Sequence, residues 1–267
     1  MWTEPLEYGR LSWPEVRRAV AEKRVPVVPI GTLEDHGPHL PIDTDVTLVE
    51  AICRASVSAL GDRAVLLPAI VHGYSPHHMD FPGTVTIAWD TFCRYCTDVA
   101  TSLVRHGFPR VLLVNGHGSN QNLVEMAARL AIVAQPESLV AACFYLSGPA
   151  SARAIEAARD SDRGGIAHAR ELETSLYLHI APEAVDMSKA VDERGYPSTD
   201  NVWMDWSDGP LKVMPWWSSF SSTGVQGDAT KASADKGAAL FEAAVQEIVS
   251  FVDELRATPI GARKDHH

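Results

Sequence analysis

No apolar run in this sequence approaches the roughly 20 residues that a membrane-spanning helix needs. The opening stretch MWTEPLEYGRLSWPEVRRAV is polar and mixed in charge, without the basic-then-apolar layout of a secretory signal, so a cytoplasmic location is expected. Cysteine is sparse. Cys53, Cys93, Cys96 and Cys143 are too few among 267 residues for a disulfide scaffold. Cys93 and Cys96 form a C-x-x-C, but no second pair completes a zinc knuckle. Phe92, Cys96, Val99 and Leu103 recur at helical spacing, so the pair reads as partly buried helix cysteines. Positive charge is short as well: 23 Lys and Arg stand against 34 Asp and Glu, a net charge of −11. That balance argues against nucleic acid or an anionic membrane as partner; it does not identify a substrate, because a local pocket can differ in sign from the whole. The chain also lacks a G-x-S-x-G elbow, a Walker lysine and the dinucleotide glycine spacing, the usual marks of α/β-hydrolases and nucleotide-binding folds.

What is present is a regular alternation of strand and helix signals. Ser12-Trp-Pro-Glu15 is a helix start, with a polar cap, a proline in the first turn and a glutamate three residues after the cap. RVPVVPI, 24–30, is a short β-branched apolar run that reads as a buried strand. Residues 46–60 read as helix, 64–70 (AVLLPAI) as strand, 89–106 as helix and 110–115 (RVLLVN) as strand. A helix over about 120–134, a strand over 138–145 and a last helix capped by Asp228 and running to about Leu255 follow. Strands separated by helices of this length make βαβ units. The expected fold is therefore one domain over 1–267, a three-layer α/β/α arrangement around a mainly parallel sheet. In such sheets ligands bind beyond the carboxyl ends of the strands.

The segment 187–223 breaks the pattern. It has little periodicity yet carries Trp203, Trp206, Trp216 and Trp217, four of the seven tryptophans. Long irregular stretches inside domains are usually functional or disordered, and tryptophans oppose disorder. A lid or an oligomer contact is expected, with residues 200–220 over the active site.

Three polar clusters fall where the sheet rule places a site. GTLEDHGPHLPIDTD, 31–45, follows the first strand and offers Glu34, His36 and Asp45, a nitrogen and two carboxylates suited to zinc, manganese or iron. VNGHGSNQN, 114–122, sets His117 between two glycines that allow a tight turn. IAHARELETS, 166–175, offers His168, Glu171 and Glu173 near a helix start. Each residue alone could be structural, with Asp43 and Asp45 as helix caps; the three clusters together point to a metal site. His72, His77 and His78 in HGYSPHHMDFPGT read equally as a polar surface loop or a substrate-contacting one.

Taken together, PVVPIGTLEDHGPHLPIDTD, FPGT, NGHGSNQ, HARELETS and GVQGDATKAS resemble the creatininase (creatinine amidohydrolase) family in order, over about 10–255. The resemblance implies a creatininase-like three-layer fold, two divalent ions (zinc, manganese or iron) and a homohexamer. Carried over residue by residue, Glu34 and His117 would hold one ion, His36 the other, and Asp45 would bridge them. Creatininase has a glutamate two residues after the N-G-H histidine; here that position is Ser119, and the resemblance to other members points instead to Glu173. His168 would be a general acid or substrate contact, and Glu173 is also counted as catalytic. His78, Ser119, Arg170, Trp216 and Trp217 are the candidate substrate contacts. Two departures, Ser119 in NGHGSN and Arg170 in HARE, argue against creatinine itself as substrate.

The expected chemistry is attack of metal-activated hydroxide on a carbonyl of a small polar, cyclic or linear amide. The alternatives are cleavage of a C–C bond in an oxidised inositol ring (a 3-dehydro-scyllo-inosose-type substrate) and, from a different class, a non-catalytic metal-binding protein. His39, Asp43 and Asn115 are candidates to orient the ligands from behind.

Overall fold

The computed structural model describes residues 4–267. Its regular elements are α1 (Trp13–Ala21), β1 (Val25–Ile30), α2 (Thr44–Leu60), β2 (Ala64–Leu66), α3 (Trp89–Arg105), β3 (Arg110–Asn115), α4 (Gln121–Ala134), β4 (Leu139–Phe144), α5 (Pro149–Ala158), β5 (Ile166–His168), α6 (Glu171–Ile180), β6 (Asp192–Glu193), β7 (Gln226–Asp228) and α7 (Ala234–Ala257). The first helix starts as its sequence dictates: the Ser12 backbone N–H donates to Glu15 Oε2 at 2.7 Å, closing a capping box.

Four strands form a parallel sheet in the order β2-β1-β3-β4. Val27 of β1 stands level with Leu66 of β2 and Leu112 of β3. Because side chains alternate across a strand, β1 feeds two cores. Val25 and Val27 join Leu112 and Val114 of β3 in a core that includes residues of α2, α5, α6 and α7. Val28 and Ile30 join Val111 and Leu113 in a second core with residues of α1, α3 and α4. Every residue of β1 is buried, as a strand covered on both faces must be. This is the three-layer α/β fold.

Three details differ from the sequence reading. The second strand ends at Leu66 rather than Ile70, because Pro68 has no N–H to offer a ladder. The chain still follows β1, with Leu67 N–H donating to Val27 and Ile70 N–H to Pro29. Asp228 caps the short turn Ala229–Lys231, through Thr230 N–H, while Ser233 caps α7. A small antiparallel sheet, β5-β7-β6, was not anticipated; its strands are two or three residues long, below the length at which alternation can be read. Cys93 and Cys96 are both free and buried in α3, as read from their spacing.

Candidate metal centre

Beyond the carboxyl ends of β1 and β3 the polypeptide brings its acid and imidazole groups together. Glu34 and His36 follow β1, Asp45 sits in the first turn of α2, His117 follows β3, and His168 and Glu173 flank the start of α6. Close backbone approach makes this possible. A Cβ at Gly116 would lie 2.8 Å from Val49 Cβ and 2.9 Å from the Asp45 carbonyl, so only glycine lets the His117 loop lie against α2.

Two triads share one carboxylate. In Glu34, Asp45 and His117, and again in His36, Asp45 and Glu173, one donor atom from each residue lies within 4.8 Å of the others. His36 Nε2 is 3.3 Å from Asp45 Oδ1. His117 reaches Asp45 Oδ2 with Nδ1 at 3.0 Å and Glu34 Oε2 with Nε2 at 3.3 Å. Glu34 and His36 are fully buried and Asp45 is nearly so.

The polar atoms turned into this space have no hydrogen-bond partner: Glu34 Oε1, His36 Nε2, Asp45 Oδ2 and His117 Nε2. Buried polar atoms are rarely left so, and four converging ones mark a cation site. The opposite sides of the same groups are satisfied. His36 Nδ1 lies 3.1 Å from the Glu34 carbonyl, which can only accept, so the hydrogen sits there and the Nε2 lone pair faces inward. Ser75 donates to Glu34 Oε2. Ala169 N–H donates to Glu173 Oε2 at 2.7 Å. Asn115 brackets the His117 backbone, accepting from its N–H at 3.1 Å and donating to its carbonyl at 2.7 Å. His39 bonds to Thr174 Oγ1 at 2.9 Å, and Asp43 accepts from Tyr177, so these two tie the first loop to α6.

The electrostatics agree with the geometry. Burial pushes Glu34 up to about 7, against the pull of His117. Burial opposes a charge on His36 and His117, yet Asp45 and Glu34 raise them to about 10 and about 9. Asp45 is held well below the usual carboxylate range despite its burial, chiefly by His36 and His117. Three buried carboxylates thus create a strong demand for positive charge, and their oxygen and nitrogen donors suit a divalent transition metal.

A second ring of groups adjoins the triads. His168 Nε2 lies 2.8 Å from the Asp35 carbonyl, and Nδ1 is 3.5 Å from Glu34 Oε1. Burial drives its pKa far down, so it is neutral. His77 and His78, left open between surface loop and site by the sequence, are buried here, whereas His72 is exposed. His78 Nε2 is 3.7 Å from Glu34 Oε1 and Nδ1 3.6 Å from Asp35 Oδ2. Ser119 Oγ is 3.1 Å from His77 Nε2. Trp217 is buried against His77, His78 and His168, while its neighbour Trp216 is 55 % exposed. Trp206 packs on Phe144, and Trp203 lies under the Arg163 guanidinium. The sequence reading passed over Asp35 and Ser75; nothing in their spacing marks them, because they meet the site only through the fold.

The sequence family model described as creatinine amidohydrolase, Creatininase, matches residues 9–252. The chain belongs to the creatininase family. A mycofactocin precursor peptide peptidase from Mycolicibacterium smegmatis is 33% identical over 219 residues, 80% of this chain and 78% of the relative. A creatinine amidohydrolase from Pseudomonas putida is 28% identical, covering 92% and 95%. A 3-dehydro-scyllo-inosose hydrolase from Thermotoga maritima is 26% identical, covering 93% and 83%. The crystal structure of a creatinine amidohydrolase superposes with a TM-score of 0.82 at 28% identity, over 96% of this chain and all of that one. Solved creatininase neighbours include a manganese form and a mutant of Zn-Zn type. Like its relatives, this creatininase-family chain is a hydrolase.

Proposed function

We propose that this creatininase-family protein is a binuclear metal-dependent amidohydrolase that cleaves the C–N bond of a small polar substrate. The observation that carries the reading is the pair of triads sharing Asp45, with unpartnered donor atoms on Glu34, His36, Asp45 and His117. Glu34 and His117 would hold one divalent ion and His36 and Glu173 the other, with Asp45 bridging. Two such ions, of zinc, manganese or iron, supply Lewis acidity and lower the pKa of bound water toward neutrality.

The chain's own groups then have distinct tasks. The His36 Nδ1 bond to the Glu34 carbonyl fixes one ligand imidazole, and the Asn115 clamp fixes the backbone that carries the other, His117. His168 donates from Nε2 to the Asp35 carbonyl, which leaves Nδ1 as a free base facing the site. It takes a proton from the attacking water at Nδ1 and returns it to the leaving nitrogen. His78 and Trp217 wall the same space, excluding water from the proton path. Ser119, held at His77, is a further substrate contact in this reading, and Trp216 faces outward from the lid segment.

We also infer a cytoplasmic homohexamer. The family resemblance supports it, as do the exposed apolar side chains of Leu211, Val213, Met214 and Trp216 on the irregular segment. A second reading, hydrolysis of a C–C bond in an oxidised inositol ring, is supported by the name of the Thermotoga relative. Assay of the metal-loaded protein against creatinine, short peptide amides and diketo-inositols side by side tests both. Turnover confined to amides supports the first; turnover confined to the ring ketone replaces it with the second. Full activity in a metal-free preparation removes both.

A further inference from the structure

Arg170 is 3 % exposed, and its Nε and Nη1 have no hydrogen-bond partner. A buried guanidinium is normally satisfied on several sides, because five N–H groups radiate from it. Its nearest anion is Glu173, with Nη1 3.9 Å from Oε2, too long for a hydrogen bond. That same oxygen already takes the Ala169 N–H. The other acids in range are engaged elsewhere. Asp205 accepts from Arg159 at 3.1 Å and from Ile166 N–H at 3.2 Å, and Asp208 pairs with Lys212 at 3.3 Å.

The backbone has been shaped to put this side chain inside. Ala169 adopts a left-handed conformation, φ 52°, immediately before Arg170. A Cβ at Gly227 would stand 2.5 Å from the Gly165 carbonyl oxygen and 3.0 Å from Arg170 Cβ, so a glycine in β7 lets the backbone close up around this position. A left-handed non-glycine residue carries strain of the kind that clusters at binding and catalytic sites.

We propose that Arg170 recognises a carboxylate on the substrate, so that the enzyme acts on small molecules carrying a carboxylate close to the scissile carbonyl. The proposal rests on the binuclear reading for where that carbonyl lies. Glu173 belongs to the triad with His36 and Asp45, so Nη1 stands within one small molecule's length of the centre. Metal loading would take up the charge of Glu173 and leave the guanidinium without an anion in reach. A carboxylate seated against Nη1 would take one of the open N–H directions in a charge-assisted hydrogen bond. A more highly charged phosphate would crowd against Glu34, Asp45 and Glu173.

The test uses succinamate and succinamide, of which only the first carries a carboxylate beside its amide carbonyl, titrated into the metal-loaded protein and followed by calorimetry and thermal shift. Succinamate should bind about tenfold more tightly than succinamide, the increment of one charge-assisted contact. Arg170→Gln should reduce the preference to near unity, and Arg170→Lys should keep part of it, since lysine retains the charge but not the fixed N–H directions of the guanidinium. Equal affinities for wild type overturn the proposal, and so does a preference that survives in R170Q. The wild-type comparison decides the matter even if the variants fail to fold. Elemental analysis of the same sample separates the two readings. A metal-free active protein ends the binuclear reading, whereas the preference for succinamate over succinamide, measured on that sample, still tests Arg170.

Discussion

Trp217 stacks on His78, ring centroids 4.3 Å apart and planes 28° from parallel. The indole N–H donates to the Gly224 carbonyl at 2.8 Å, so the ring is pinned at its far edge as well. Trp217 therefore fixes one wall of the histidine cluster. Trp217→Ala should cost about 3 kcal/mol in denaturant unfolding, the usual range for emptying a large buried aromatic. Trp217→Phe should cost less, about 1 kcal/mol for the lost hydrogen bond plus some packing. Both should lower kcat while leaving metal content intact, because the stack touches His78 and His168 and not the triads. Loss of metal from Trp217→Phe would show that the ring supports the ligands instead.

Sharing of Asp45 makes the triads separable by mutation. His36→Ala should leave close to one ion per chain, and His117→Ala should do the same at the other position. Asp45→Asn should lower the content below one, since both ions lose a charged ligand. Turnover should fall more than about 100-fold in all three, beyond what loss of a supporting group alone causes. Elemental analysis after gel filtration, alongside single-substrate kinetics, measures this. Chelation of the wild type followed by addition of zinc or manganese should restore the activity. Two ions retained by Asp45→Asn would refute the bridge.

The parts of this molecule that could be read in advance are those whose signal is local. RVPVVPI is continuous and β-branched, and it is a fully buried strand. Glu34, His36 and His117 stand in strand-end loops and Asp45 in the first turn of the helix that follows, where the parallel sheet converges them. Glu173 stood out in its own cluster, but its place beside His36 and Asp45 was reached only through the family resemblance, because it takes a contact across more than a hundred residues. His77 shows the limit. Its loop follows a strand, which allowed either a surface or a site, and only the packing of Trp217 from the irregular segment decides for burial. The small antiparallel sheet was beyond reach for the same reason. Its three strands are far apart in sequence, and Asp192–Glu193 is too short to have a period.

Glu193 supplies a pH prediction away from the centre. Its carboxylate accepts from the Ser222 and Thr223 N–H groups at 2.7 and 3.0 Å, and from the hydroxyls of Ser221, Ser222 and Thr223. Burial works to raise its pKa, but these bonds prevail and lower it to about 2 from 4.5. A depressed carboxylate stabilises the fold above its unfolded pKa and loses that contribution as pH falls through the folded one. The unfolding free energy of wild type should thus exceed that of Glu193→Gln by a constant amount above about pH 5, and the gap should close between about 4.5 and 2. Denaturation of both proteins across that range measures it, and a gap that persists unchanged at pH 2 would contradict the assignment.

Glu247 tests how one helix holds another. It lies in the middle of α7, 4 % exposed, and its carboxylate accepts the N–H groups of Gly148, Ala150 and Ser151 at 2.9, 3.0 and 3.1 Å, together with the Ser151 hydroxyl. These are the free donors at the start of α5, so α7 provides both the cap and the negative charge that a helix N-terminus favours. Gly148 is part of the fit, because a Cβ there would stand 2.3 Å from Glu247 Oε1. Glu247→Ala should destabilise by about 3 kcal/mol, since three buried amides lose their partner at once. Glu247→Gln keeps one acceptor oxygen and should cost about half as much, and Gly148→Ala should be harmful on its own through the clash. Combined with Glu247→Ala, which vacates that volume, Gly148→Ala should cost little more, a coupling that a double-mutant cycle reads directly. Additive costs in that cycle would show that the clash is relieved by backbone movement at α5 rather than by the side chain of Glu247.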